Sequence, residues 1–179
     1  LQIMPGVPVL SKTRGVVQFD TQGLTTKNLK ARVFGGDAQI DGNLLFDPNK
    51  TDASDQLRIK GVVTAEGLRQ ASELGVFSQL ALRANGSTSY NASVGLRKGQ
   101  PEILVQSDLK GMALTFPAPM NKPAAATWPL RLETQLTNES LGPKSKVMQD
   151  QIKLSVARVL SLNFVRDVSA TQTRVLRGA

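Results

Sequence analysis

The sequence contains no cysteine and no histidine. Disulfides, thiol nucleophiles, Cys/His zinc sites and every catalytic group built on imidazole are therefore excluded. Aromatic residues are scarce, with six Phe, one Trp and one Tyr making 4% of the chain. That is too few for the stacking platforms that hold single-stranded nucleic acid. No apolar run approaches the roughly 18 residues of a membrane-spanning helix. No secretory leader is visible and the first residue is Leu1, so the sequence reads as a piece of a longer chain. Its 179 residues are enough to bury a core of their own, and residues 1–179 are expected to form one β-rich segment.

The charge is one-sided but dispersed. Lys and Arg number 22 against 14 Asp and Glu, a formal net charge of +8. Residues 1–100 hold 12 basic and 8 acidic side chains, and residues 101–179 hold 10 and 6, so no basic block stands out. The densest basic stretch is C-terminal, with Lys153, Arg158, Arg166, Arg174 and Arg177. Diffuse charge of this kind keeps a surface solvated and attracts anionic lipid headgroups weakly. No nucleic-acid partner is expected.

What the sequence has in abundance is alternation with a period of two. Leu29, Ala31 and Val33 alternate with Lys30 and Arg32; Ala38, Ile40, Gly42, Leu44 and Phe46 share one side of the next run. Leu57, Ile59, Gly61 and Val63 follow, then Ile103 with Val105, Leu130 with Leu132, and Ile152, Leu154 and Val156. Runs with one apolar and one polar side predict antiparallel strands wetted on one face. Turn residues punctuate them at Gly35-Gly36-Asp37, Asp47-Pro48-Asn49, Lys98-Gly99-Gln100-Pro101 and Gly142-Pro143. Asp41-Gly42 falls inside a run and predicts a continued, bulged strand. Between Leu80 and Leu96 the apolar residues are at even positions, and a three-residue loop at Asn85-Gly86-Ser87 would pair Leu82 with Tyr90 and Leu80 with Ala92. The approach at 76–79 is left open to helix.

One helix is predicted over 65–74, with Thr64 as N-cap, a narrow stripe of Ala65, Leu68 and Ala71, and Gly75 as its stop. The segment 116–129 is predicted to be an extended connecting loop. Pro117, Pro119 and Pro123 remove three amide donors, so the chain should leave the sheet after Phe116 and rejoin near Leu130. Phe116 and Trp128 are the expected apolar anchors of its two ends. Lys122 carries the segment's one charge. Its expected place is the surface, where it aids solubility, and the bolder assignment is a lipid-headgroup contact.

No catalytic constellation emerges, and the protein is not expected to be an enzyme or to need a cofactor or metal. Asp37 and Asp41 lie on one side of a strand run, but as strand-end turn residues rather than an acid–base pair. Asp47, Asn49, Asp52 and Asp55 resemble a calcium loop without its glycine and terminal glutamate.

The run Ser107-Asp108-Leu109-Lys110-Gly111, continuing through Phe116-Pro117-Ala118-Pro119-Met120-Asn121-Lys122-Pro123 to Trp128-Pro129-Leu130, resembles a recurring segment of YhdP-like proteins, members of the AsmA-like group of Gram-negative bacteria. Gly35-Gly36-Asp37-Ala38 and the run from Gly61 to Leu68 resemble further elements of the same proteins. The likeness spans about residues 15–132, and its departures are Phe116 and Met120, where leucine is commoner. The resemblance implies a large protein anchored in the inner membrane, with a long periplasmic β-structure forming a curved antiparallel sheet, a groove or half-pipe. On that resemblance the groove would carry phospholipid between the inner and outer membranes. Its partners would be acyl chains and neighbouring segments of the same long chain, with membrane contact through the full-length protein. On this reading Phe46, Leu57, Ile59, Leu80, Leu82, Ile103 and Leu132 are candidates for one apolar groove surface. The alternative is a structural or protein-interaction β-module with a closed core.

Overall fold

A computed structural model describes residues 10–46, 55–71, 74–142, 145, 147–169 and 174–178. The alternating runs pair with their sequence neighbours into one antiparallel 12-stranded sheet. Its strands are β1 (Ser11–Phe19), β2 (Gly23–Val33), β3 (Gly36–Leu45), β4 (Gln56–Thr64), β5 (Ala84–Arg97), β6 (Gln100–Ser107), β7 (Met112–Thr115), β8 (Asn121–Lys122), β9 (Leu130–Leu136), β10 (Gln149–Val156), β11 (Leu160–Asp167) and β12 (Arg174–Gly178). The order is β1-β2-β3-β4-β5-β6-β9-β10-β11-β12, with β7 branching onto β5 and β8 onto β7. The first and last strands do not meet, so the sheet is not closed into a barrel.

Register turns the alternation into continuous rows. Leu29, Ile40, Ile59, Ala92, Val105, Leu132, Leu154 and Leu162 are consecutive cross-strand partners from β2 to β11. A second row links Leu57, Val94 and Ile103 and runs on through Thr134, Ile152 and Phe164. Side chains two apart share a face, so both rows lie on the same side of the sheet. β3 continues through Asp41-Gly42, as expected. The bulge lies opposite, where β2 fits one extra residue between Thr26 and Leu29. Asn28 there adopts φ +53°, and its N–H donates to Asp41 Oδ1 at 2.6 Å.

The Asn85-Gly86-Ser87 loop does not form. β5 runs unbroken from Ala84 and changes partners instead: Ala84, Asn85 and Gly86 pair with β7, and from Ser87 onward the strand pairs with β4. A distant strand supplies the hydrogen bonds that a local hairpin would have made, and Gly86 bends the chain at φ +92°. Leu80 and Leu82 accordingly leave the sheet, Leu80 ending helix α2 (Val76–Leu80) and Leu82 lying in a 3₁₀ turn. The expected helix is shorter, α1 (Ala65–Gln70), with α2 following Gly75 and a further short helix α3 (Asn138–Leu141).

The proline segment rejoins the sheet at Leu130, as expected, but it leaves the main ladder at Ser107, before Phe116. It also keeps a minimal ladder, with Leu114 facing Lys122 and Thr115 facing Asn121. The prolines avoid those two pairs. Ala118–Pro119 is cis, inside a turn in which the Met120 N–H donates to Pro117 O at 3.0 Å. The result is a flap, not a free connector.

Thr64 caps α1 as expected, its hydroxyl accepting from the Gly67 N–H at 3.0 Å. A capping-box glutamate is absent at position 67 for a steric reason. A Cβ on Gly67 would lie 2.0 Å from the Phe34 carbonyl carbon and oxygen. The β2–β3 turn and the first turn of α1 therefore touch backbone to backbone. Gly67→Ala should lower stability by about 1–3 kcal/mol, the usual cost of overpacking. Urea unfolding checks this, and an unchanged midpoint would contradict the contact.

Candidate functional site: an apolar groove

The shared face of the rows forms the floor of a groove of about 590 Å³, within the roughly 300–1,000 Å³ typical of ligand clefts. Ile40, Ile59, Ala92, Val105, Leu132, Leu154 and Leu162 run along the floor, with Leu57, Val94 and Ile103 beside them. A roof overhangs one side, where β4, β6 and β10 end. Leu68 of α1, Leu80 of α2, and Met112, Leu114, Phe116 and Met120 of the flap supply it, with Trp128 at the flap's far end.

No charged side chain lines the groove among the described residues. The exceptions to its hydrocarbon lining are Thr88, Ser107 and Tyr90. The two hydroxyls lie 3.2 Å apart, and Ser107 also donates to Ser89 O at 2.7 Å and accepts from the Leu109 N–H at 3.0 Å. Burial pushes the Tyr90 phenol up to about 12, so it stays protonated in the physiological range.

Burial is uneven along the floor. Leu29, Ile40 and Leu44 are each 1% exposed where β2, β3 and β4 close over their own core with Leu10. On β6, β9 and β11, Ile103, Leu132 and Leu162 are only half-buried. The floor is sealed at β2 and β3 and half-covered from Ile59 on β4 to Leu162 on β11, with Leu154 and Val156 buried again beside Trp128.

Of the candidates read from the sequence, Leu57, Ile59, Ile103 and Leu132 meet on the floor, and Leu80 reaches the groove from the roof. Leu82 does not, because its 3₁₀ turn leaves it 61% exposed. Phe46 lies just past β3, outside the groove. It packs on the β2–β4 core and edge-to-face on Phe19, with centroids 5.9 Å apart. Phe116 and Trp128 both take up apolar positions, and Trp128 packs in a cluster with Leu109, Leu154 and Val156. Several lining residues were not singled out as candidates. Leu154 and Val156 stand in an alternating run, and Leu160-Ser161-Leu162-Asn163-Phe164 has the same signal. Met112, Leu114 and Met120 have no periodic signal, since the flap that presents them depends on β5.

Lys122 is neither a surface residue nor a headgroup contact. It is 1% exposed, and its Nζ donates to the carbonyls of Leu109, Met112 and Pro123 at 2.7, 2.9 and 3.1 Å. Three donors meet three acceptors, so the ammonium ties both ends of the flap to one point. Burial lowers its pKa, and the Asp108 carboxylate partly opposes that shift. The carboxylates considered earlier stand apart from the groove. Asp37 pairs with Arg32 at 3.7 Å. Asp41 is held below the usual carboxylate range by hydrogen bonds, first from the Asn28 N–H and then from Gln39. Asp55 accepts from Asn43 at 2.5 Å, whereas Asp47, Asn49 and Asp52 lie outside the described residues. No group of three or more acidic, His or Cys side chains suited to a metal occurs among the described residues.

The family model for YhdP protein matches residues 1–178. The chain belongs to the YhdP family. No curated protein and no solved structure matches it. No helix among the described residues is long and apolar enough to cross a membrane. The family match extends beyond the motifs around Gly35, Gly61 and the prolines to β10 and β11, which complete the groove, and to β12.

Removing the Lys122 ammonium should loosen the flap. Lys122→Met keeps the side chain's bulk but removes three charge-assisted donations; Leu109 O and Pro123 O keep backbone donors, the Met112 N–H at 3.3 Å and the Ala126 N–H at 3.1 Å, so the cost is about 1–3 kcal/mol. Trp128 is the only tryptophan, so its emission should shift to the red in this variant. Unchanged stability and emission would show that the flap is held by its backbone hydrogen bonds alone.

Proposed function

We propose that this chain is a non-enzymatic segment of a bridge-like envelope protein, and that its groove carries the acyl chains of phospholipid across the periplasm between inner and outer membranes. The observation that carries this reading is the half-open floor. Seven consecutive partners from Ile40 to Leu162 cross six inter-strand steps. At about 4.8 Å per step the row is about 29 Å long. Acyl chains lying along the strands, with their tips toward the roof, would pack side by side across this width and pass from one strand to the next. Each methylene moved from water onto the floor gains about 0.8 kcal/mol. A continuous track of this kind needs no catalytic group, only the absence of charge along its lining.

The edges support continuation. β1 is exposed along nearly its whole length and β12 along all of it. Among the described residues each has a neighbour on one side only, so its other edge can take a further strand. On this reading neighbouring segments of the longer protein extend the groove on both sides. Family membership supports an envelope location, with membrane contact made elsewhere in the full-length protein.

The test is photocrosslinking to phospholipid, with neighbouring positions on opposite faces of β4. Ile59→Asp puts a carboxylate without a partner on the floor and should abolish crosslinks from the groove. Arg58→Asp, on the outer face, should leave them intact. Equal crosslinking in both variants, each verified as folded by circular dichroism, would overturn the groove reading in favour of a closed structural module.

A further inference from the structure

The face of β11 that lines the groove with Leu160 and Leu162 continues beyond the lining as Phe164 and Arg166, so it passes from hydrocarbon to a guanidinium along a single strand. Leu160 lies beside the roof, and Arg166 lies six residues away, about 20 Å along the strand. Across the ladder Arg166 faces Asp150 on β10, which in turn faces Leu136 on β9. Arg166 Nε donates to Asp150 Oδ1 at 2.9 Å, and Nη2 donates to Asp150 Oδ2. The Asp150 side chain is 9% exposed and that of Arg166 is 30% exposed. Nη1 makes no hydrogen bond among the described residues.

Two features of this pair call for an occupant. An apolar pair of similar volume would hold a largely buried position at least as well as an ion pair does. Moreover, the fork fixes the guanidinium plane while leaving an N–H edge exposed, which is the geometry that receives a phosphate oxygen. A phospholipid carries its phosphate at the end of its tails. With the tails on the floor and their tips under the apolar roof, the phosphate arrives at the opposite strand ends, where Arg166 is.

We infer that Arg166, held in orientation by Asp150, is a binding residue for the phosphodiester of a lipid whose tails occupy the groove. This rests on the acyl-groove reading and adds a headgroup subsite to it. Lys122, the lysine of the proline motif, is buried under the roof and plays no part in that subsite.

The experiment compares phosphatidylglycerol with diacylglycerol bearing the same chains, both fluorescently labelled on one tail, binding to the 179-residue chain. The wild type should bind the phosphate-bearing lipid about tenfold more tightly, the scale of one charge-assisted contact. The double variant Asp150→Asn/Arg166→Gln replaces the ion pair by two amides and leaves no buried charge behind. It should bind both lipids equally, with diacylglycerol affinity unchanged, whereas Arg166→Lys should retain most of the preference. Equal binding of the two lipids by wild type, or a preference that survives in the double variant, would overturn the Arg166 subsite and leave the groove standing. Binding of neither lipid by wild type would overturn the groove reading and the subsite with it. Inorganic phosphate at millimolar concentration should compete poorly. Full displacement of phosphatidylglycerol down to the diacylglycerol level would identify a site for free anions and overturn the lipid assignment.

Discussion

A single layer of sheet with one apolar face must put that face somewhere, and the rest of this structure follows from that constraint. A sandwich would cover it with a second sheet and a barrel would roll it shut. Here the order of strands runs from β1 to β12 without closing, and among the described residues the one ladder over the floor is the short β7–β8 flap. The β2–β4 end seals itself around Leu29, Ile40 and Leu44, while the β6–β11 end receives only partial cover from short helices and the flap. An apolar face left half-covered in this way marks a ligand or partner surface.

The partial cover is built from pieces that have little stability of their own. α1 and α2 have six and five residues, below the length at which a helix persists alone in water. α1 is held by the Thr64 cap, by close approach to the Phe34 carbonyl and by Arg69, whose Nη1 donates to Ala84 O at 2.9 Å. The flap is held by three pairs to β5 and by the Lys122 ammonium at its base. A buried ammonium is a costly device, offset here by three carbonyl acceptors at 2.7, 2.9 and 3.1 Å.

Polarity is sorted by position. Along the floor the polar lining groups are hydroxyls, two of them hydrogen-bonded to each other or to backbone, and ionic groups begin only at the strand ends far from the roof. An amphiphile meets hydrocarbon and charge in the same order along its own length. The outer face carries the remaining charge, with Arg58, Lys60, Arg131 and Lys153 alternating against the floor residues, which keeps that face wetted.

The alternation of Ile40, Leu57, Ile59, Ile103, Leu132 and Leu154 made the strands and the apolar face legible from the sequence alone, because a pleated strand obliges every second side chain to share a side. The cap at Thr64 and the return of the chain at Leu130 were legible for similarly local reasons. Partner choice was not. Asn85-Gly86 has the chemistry of a tight turn, and only the arrival of β7, more than twenty residues later, makes it part of a strand. That exchange moved Leu80 to the roof and Leu82 to solvent. Lys122 looked like a surface lysine because sequence reports a charge and not the three carbonyls folded around it. Asp150 and Arg166 are sixteen residues apart and become a pair only through the β10–β11 register. The sequence by itself determined which side chains share a face, since that follows from local backbone geometry. Tertiary structure decided what covers the face and where it stays open, because non-local pairing settles both.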